Sequence, residues 1–559
     1  MTMLKTATTM NPVELRRAVS QLLVVRASGH AGDQQRRYPR WELSNSELQR
    51  QLENGVGGVI LLGGTATELQ QRCRTLRAWA ADDDLLLCAD VEEGVGQRFE
   101  GATWLVPPLA LGRLHGHNPA AAIRFAERYG RCTADQARRC GLNWVLAPVC
   151  DVNSNPANPV INVRAWGQAP EAAGALAEAF QRGLQAGGVL GCAKHFPGHG
   201  DTAQDSHLEL PVLAHARERL EQLELKPFRR LIAAGVESVM TAHLLIPALD
   251  AERPATLSSK VLTDLLRVSL DFQGLIVTDA LVMEAITGLV GPGEAAVQAF
   301  EAGADLILMP ADADEAINAV CAALASGRLP ASRLEQSLQR RREALQRCRE
   351  RQRQNRTAST APSPPDAAET AAETAEEHQL ALELVGATLE VQGATPVDAP
   401  AGGGVTLIRV DGVLACPFLR PEAPAISWPA RRGFRPILCH ELGISPWHDP
   451  PQADHPLALD RLGEGPVLLQ LFLRGNPFRA GRDRDDPWPA AIRQLLALNR
   501  LAGLAVYGCP YRWESLRALL PSSIPAAYSP GQMAEAQQML MGRLLGEEHM
   551  LELGGEFTD

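Results

Sequence analysis

The sequence predicts an α/β protein: a (β/α)8 barrel of TIM type followed by a smaller α/β domain. Three observations lead there. The chain's 559 residues exceed the size at which one hydrophobic core keeps growing, so a barrel-sized domain and a smaller one are expected. Between about residues 20 and 310, short apolar runs alternate with longer amphipathic stretches, the pattern of βα units around a parallel sheet. A segment of different composition then separates this region from a second α/β alternation.

Eight runs are candidate barrel strands: QLLVV near Leu22, GGVILL at 57–62, LLLCAD at 85–90, NWVLAPV at 143–149, VLGCAKH at 189–195, VESVMTAH at 236–243, GLIVTD at 274–279 and ADLILMP at 304–310. Helix candidates lie between them with recognisable ends. SNSELQRQLENG places Gly55 as a C-cap, while AAAIRFAERYGRCTADQARRCG and FRRLIAAG stop at Gly141 and Gly235. The closing helix is expected to start at Ser332, with Glu335 completing a capping box, and to run through LQRRREALQRCRERQRQ. The barrel domain is therefore assigned to residues 1–350 and a linker, rich in Pro, Ala, Ser, Thr and Glu, to 351–377. Residues 378–559 hold the second alternation, with strands VTLIRV, PVLLQLFL and GLAVYG and helices AAIRQLLALNR and GQMAEAQQMLMGRLLG.

A net charge of −11 argues against nucleic-acid or anionic-membrane partners, since either surface demands a basic footprint. A small, weakly charged molecule fits better. The N-terminal segment lacks the apolar core and small-residue cleavage site of a secretory signal, and no run reaches the roughly 18 apolar residues that span a bilayer. The 11 cysteines include no C-x-x-C pair, as expected of reduced thiols in a cytoplasmic protein.

Polar residues gather where the barrel runs end, and active sites of this architecture lie at the C-terminal face of the strands. Asp90 ends the third run, Asp151 follows the fourth, Lys194 and His195 end the fifth, His243 the sixth and Asp279 the seventh. Any one of them could simply tie down a loop. Five strand ends converging on one mouth favour chemistry. The densest segment is GCAKHFPGHGDTAQDSHLELP at 191–211. His195, His199 and His207 with a carboxylate would suit a metal if H-x-x-x-H lay on a helix, but Pro197, Gly198 and Gly200 oppose that helix. No metal or cofactor is expected. The other reading pairs Asp205 with His207, close enough for the carboxylate to orient the imidazole and stabilise its cation.

KHFPGHGDT followed by DSH resembles the signature of the bacterial β-N-acetylglucosaminidases of glycoside hydrolase family 3. The similarity extends through MTAHLLIPALD at 240–250, PATLSSKVLTDLLR at 254–267, VTDALVMEAI at 277–286, INVRAWG at 161–167 and, more loosely, ADVEEGVGQRF at 89–99. Residues 378–559 resemble, more faintly, the α/β sandwich domain that often follows the barrel in this family.

The resemblance implies a retaining hydrolase that removes terminal β-linked N-acetylglucosamine from cell-wall fragments. Asp279 would be the nucleophile, although alone it reads equally as a helix N-cap. His207 would be the acid/base, with Asp205 as its partner. Asp90, Arg98, Arg164, Lys194 and His195 would grip the sugar, and His243 would line the same mouth. Where relatives carry one acidic residue and paired glycines, this chain has Glu92, Glu93 and Gly94, an added carboxylate expected to disfavour an anionic aglycone. A β-glucosidase or a phosphorylase of the same family, a metal-dependent barrel hydrolase and a non-catalytic sugar-binding barrel are the competing readings.

Overall fold

In the computed structural model, eight short parallel strands follow one another around a ring. They are β1 (Leu23–Ser28), β2 (Gly58–Leu62), β3 (Leu86–Ala89), β4 (Trp144–Val145), β5 (Cys192–Phe196), β6 (Ser238–Thr241), β7 (Leu275–Val277) and β8 (Ile307–Leu308). One sheet runs β4-β3-β2-β1-β8 and a second β5-β6-β7. Parallel bridges Trp144–Leu190 and Val277–Leu306 join the two and close the barrel. The structure describes residues 10–81, 84–204, 209–358, 372–393, 396–397, 402–410, 417–440, 444–474 and 486–547.

All eight strands overlap the expected apolar runs, because strands covered on both faces must be largely apolar, though β1 continues past its run through Arg26 to Ser28. Trp144 fills the interior at no exposure. Its indole N–H donates to Ser238 Oγ at 3.0 Å, which satisfies a polar group that burial would otherwise leave costly. Outside the ring, helices Pro119–Cys140 and Pro170–Gly187 pack closely because Gly130 and Gly183 face the opposite backbones. A Cβ at Gly130 would lie 2.0 Å from the Phe180 carbonyl oxygen. Gly141 ends the first of these helices at φ +93°, a left-handed cap, as expected. After Asn45–Glu53 the cap is Asn54, and Gly55 is the left-handed residue that follows it.

The last barrel helix begins at Ala331, directly after Pro330, so Ser332 lies inside its first turn rather than capping it. It continues to Ala358, and residues 351–358, grouped with the linker by composition, are helical. Long-range contacts explain this. Arg351 pairs with buried Glu237, and the Gln352 amide donates to the Gly188 carbonyl at 2.8 Å.

The chain divides into two compact units, residues 1–103 with 111–377, and residues 104–110 with 378–559. The second is a six-stranded sheet in the order β11-β10-β12-β13-β14-β9. Its strands are β9 (Glu390–Gln392), β10 (Gly404–Val410), β11 (Phe434–Cys439), β12 (Val467–Leu473), β13 (Leu501–Gly508) and β14 (Ala526–Ser529), parallel except for β9. Alternation along β12 builds both faces. Val467, Leu469, Leu471 and Leu473 join helices Trp488–Ala497 and Pro510–Arg517, while Leu468 and Phe472 join Pro424–Arg431 and Ala534–Leu545. The result is the α/β sandwich that the resemblance implies.

Candidate active site

Asp90 follows β3 and Lys194 lies within β5, neighbours in space though distant in sequence. Lys194 Nζ stands 2.8 Å from Asp90 Oδ1 and 2.6 Å from Glu92 Oε1. Glu92 in turn accepts two parallel bonds from Arg164, Nε and Nη2 each at 2.8 Å, the fork geometry that makes Arg–carboxylate pairs strong. Arg98 Nε donates to the Asp90 carbonyl at 3.0 Å. A chain of alternating charge therefore runs Asp90, Lys194, Glu92, Arg164. Lys194 is 1% exposed and Glu92 3%, whereas the Asp90 side chain is 38% exposed and is the member turned toward solvent.

The cluster sets its own protonation states. Burial alone would raise the Glu92 carboxyl, but Arg164 and Lys194 outweigh it and hold that group well below its ordinary value. Burial pushes Lys194 down, and Asp90 and Glu92 more than offset it, so its ammonium is held charged. Arg164 is raised against its burial by Glu92.

Asp151, fully buried after β4, organises the two histidines of the next segment. Its Oδ2 lies 2.7 Å from His195 Nδ1, and its Oδ1 accepts the His199 backbone N–H at 2.7 Å. A carboxylate can only accept here, so the His195 Nδ1 donates to it. Burial raises Asp151, yet His195 and His199 outweigh it and lower it below its ordinary value. His199 is pushed down to about 4, chiefly by burial, so its ring is neutral near pH 7. That ring meets Thr202 Oγ1 through Nδ1 at 2.7 Å. His195 sits on β5 and His199 beyond Gly198, whose φ is +130°, so H-x-x-x-H does not share a helix face.

Asp279 follows β7 past the buried Thr278 and is half-buried. Its backbone N–H donates to Thr241 Oγ1 at 3.3 Å, and its Oδ1 accepts from Ala280 N–H at 2.7 Å, which fixes the carboxylate's orientation. His243 is fully buried beneath it. Its Nε2–H donates to the Ala280 carbonyl at 3.0 Å, and its Nδ1 lies 2.8 Å from Thr256 Oγ1, so it braces the backbone beside Asp279. Asp205 and His207 fall outside the described residues.

Sequence reasoning singled out neither Asp151's hold on His195 nor Glu92's bridging place. It took the Glu92–Glu93 pair as added charge at the mouth. Both side chains are buried, Glu93 completely, and Glu92 is matched by two cations. Only the double carboxylate itself could have drawn attention to this position.

Residues 14–343 match the glycosyl hydrolase family 3 N terminal domain, and residues 401–546 match the bacterial glycosyl hydrolase family 3 C-terminal domain. The chain belongs to glycosyl hydrolase family 3. Within that family it is 39% identical over 302 residues to a beta-hexosaminidase of Chromobacterium violaceum, covering 52% of this chain and 83% of the relative. Beta-hexosaminidase A of Pseudoalteromonas piscicida is also 39% identical, over 240 residues, and there the match spans 40% of each chain. A glycoside hydrolase family 3 β-N-acetylglucosaminidase from Paenibacillus sp. str. FPU-7 is similar over both units, with a TM-score of 0.74 at 28% identity, covering 95% of this chain and 97% of that one.

Proposed function

We propose that this family 3 protein is a retaining β-N-acetylhexosaminidase acting on terminal β-linked N-acetylglucosamine of cell-wall fragments. One observation carries the reading: a rigidly held carboxylate, Asp279, at the end of β7 of the same barrel mouth that gathers the Asp90–Lys194–Glu92–Arg164 chain and His195. The names of the relatives above support the sugar.

Asp279 attacks the anomeric carbon while His207 gives its proton to the departing oxygen, leaving a glycosyl ester on Asp279. His207 then takes a proton from water, which attacks the same carbon and frees the carboxylate. Asp205 holds the imidazole and stabilises its charged form. Asp90 accepts from sugar hydroxyls, and Lys194 and Arg164 donate to them. Among the described residues, two bonds to Glu92 and one to the Val160 carbonyl occupy three of Arg164's five N–H groups, and the other two can donate to a ligand. Arg98 and His195 complete the grip. The acidic chain and cysteines that are free among the described residues support a cytoplasmic enzyme without nucleic-acid or membrane partners. Among the described residues no helix is long and apolar enough to cross a membrane.

Aryl glycosides of N-acetylglucosamine, glucose and xylose, each assayed with and without phosphate, test the reaction. Preferred turnover of the N-acetylglucosaminide, unaffected by phosphate, is expected. Preference for glucose, or a sugar phosphate as product, would replace the reading by a β-glucosidase or a phosphorylase.

A further inference from the structure

Charges that the mechanism leaves unused gather beside the segment that carries Asp205 and His207. Asp201 Oδ2 lies 2.8 Å from His215 Nε2 and 2.7 Å from Arg219 Nη2. The carboxylate accepts from both, so His215 carries a proton on Nε2. Arg219 extends to Glu224 Oε1 at 3.4 Å and to Ser154 Oγ at 3.4 Å. Asp201 precedes the acid/base segment in the chain and His215 follows it, so one ion cluster joins the loop's two stems.

Both stems are also held against their surroundings. On the entering side a Cβ at Gly198 would stand 2.7 Å from Glu224 Cβ, and one at Gly200 would stand 1.8 Å from the Val152 carbonyl oxygen. Those glycines let the backbone rest directly on its neighbours. Thr202 Oγ1 donates to the His199 carbonyl at 3.2 Å, and the Asn158 amide donates to the same oxygen at 2.8 Å. On the leaving side Leu213 N–H donates to the Leu245 carbonyl at 2.9 Å and Leu245 N–H to that of Pro211 at 3.0 Å, tying the chain to the segment after β6. The shorter the span between fixed points, the fewer conformations remain to its residues.

We propose that Asp201, His215 and Arg219 are positioning residues for leaving-group protonation: their ion cluster ties the chain entering the Asp205–His207 segment to the chain leaving it, and through that tie supports delivery of the proton. This rests on His207 as the acid. Their role is exerted through that segment and not on the reacting atoms. A displaced acid costs most where the departing oxygen needs its proton. The clamp therefore shows itself in the dependence on leaving group rather than in overall rate.

The full chain is assayed on a series of aryl N-acetylglucosaminides of graded leaving-group acidity and on a chitobioside, with melting temperatures recorded alongside. For Asp201→Asn and His215→Ala, kcat/KM on the chitobioside is expected to fall on the order of 10- to 100-fold and on the dinitrophenyl glycoside less than about threefold, a part of a general acid's full contribution. His215→Gln, whose amide N–H can replace the imidazole donor, should restore much of the loss. Arg219→Met gives the same contrast if Asp201→Asn does not fold. Equal losses across the whole series would make the cluster merely structural and overturn the proposal. His207→Ala serves as the reference. A leaving-group contrast in His207→Ala but not in the cluster variants removes the clamp alone, whereas no contrast in His207→Ala removes the acid assignment and the clamp with it.

Discussion

Two buried charge clusters mark the two ends of the barrel strands, and they are built from similar residues to different effect. At the C-terminal ends, Asp90, Lys194, Glu92 and Arg164 alternate in sign, and the Asp90 side chain is left 38% exposed. At the other end Asp305, just before β8, is fully buried among three arginines: Arg267 at 2.7 Å, Arg340 at 2.9 Å and Arg333 at 3.6 Å. It also accepts from Ser337 Oγ at 2.8 Å and from Ile276 N–H at 3.0 Å. Every acceptor direction of Asp305 is used within the protein, whereas the Asp90 carboxylate remains partly open to solvent. Burial lowers Arg267 to about 10 against the pull of Asp305, a cost borne for cohesion. The division matches the barrel rule that the C-terminal face carries chemistry and the N-terminal face carries stability.

Variants at the two ends should separate activity from folding. Asp279→Asn is expected to lower kcat by about 10⁴-fold, equivalent to about 5.5 kcal/mol, at an unchanged melting temperature. A fluorinated activated sugar should trap a covalent adduct on Asp279 in the wild-type enzyme, seen by mass spectrometry of peptides. No adduct, with tight inhibition by a thiazoline mimic, would instead point to assistance by the substrate's own acetamido group. Asp305→Asn should do the reverse. Removing the charge that three arginines share costs about 3–5 kcal/mol of stability by denaturant titration, with kcat per folded molecule retained. If Asp305→Asn lost activity while its stability held, the contrast between the two ends would fail. Glu92→Gln lies between them. It leaves Lys194 and Arg164 under-compensated, so kcat/KM should fall about 100-fold, near 2.7 kcal/mol, with a lowered melting temperature. A stability change without any change in KM would place Glu92 with Asp305 as a purely structural residue.

Much of the barrel was legible because its strands need to be apolar on both faces, and runs such as GLIV before Asp279 meet that need without help from distant residues. The second sheet was half legible. β10, β12 and β13 are long and apolar, but β11 carries Arg435 and Pro436 at a sheet edge, where a missing N–H is tolerated, and β9 and β14 are short. In the site, Asp90, Lys194, His195 and Asp279 announced themselves by ending strands. The same rule brought in His243, whose imidazole braces the Ala280 carbonyl instead of reaching the surface. What stayed hidden depends on pairings across the fold. Glu92 meets Arg164, 72 residues away, and Asp151 meets His195, 44 away, and neither spacing is periodic. The pairing of Asp205 with His207 came from their two-residue spacing, and the acid/base role from family resemblance.

The smallest effect concerns pH and separates the histidine support from the carboxylate clusters. His199 sits at about 4 when folded, against an ordinary value of 6.5, so between those values the unfolded chain binds a proton that the native state refuses. Stability therefore rises with pH across that window and is lost as pH falls through it. The lowered carboxyls of Glu92, Asp151 and Asp305 act in the same direction, but their contribution is complete above their unfolded values and is lost only at lower pH. The unfolding free energy of the wild-type protein should drop by about 2 kcal/mol from pH 7.5 to pH 5 on account of His199 alone. In His199→Gln, which keeps the backbone N–H to Asp151 and replaces the ring by a neutral amide, this part of the slope should vanish while the fall below pH 4 persists. An unchanged slope between pH 5 and 7.5 would mean that His199 takes up its proton without unfolding, and that the packing around Asp151 opens more readily than its burial implies.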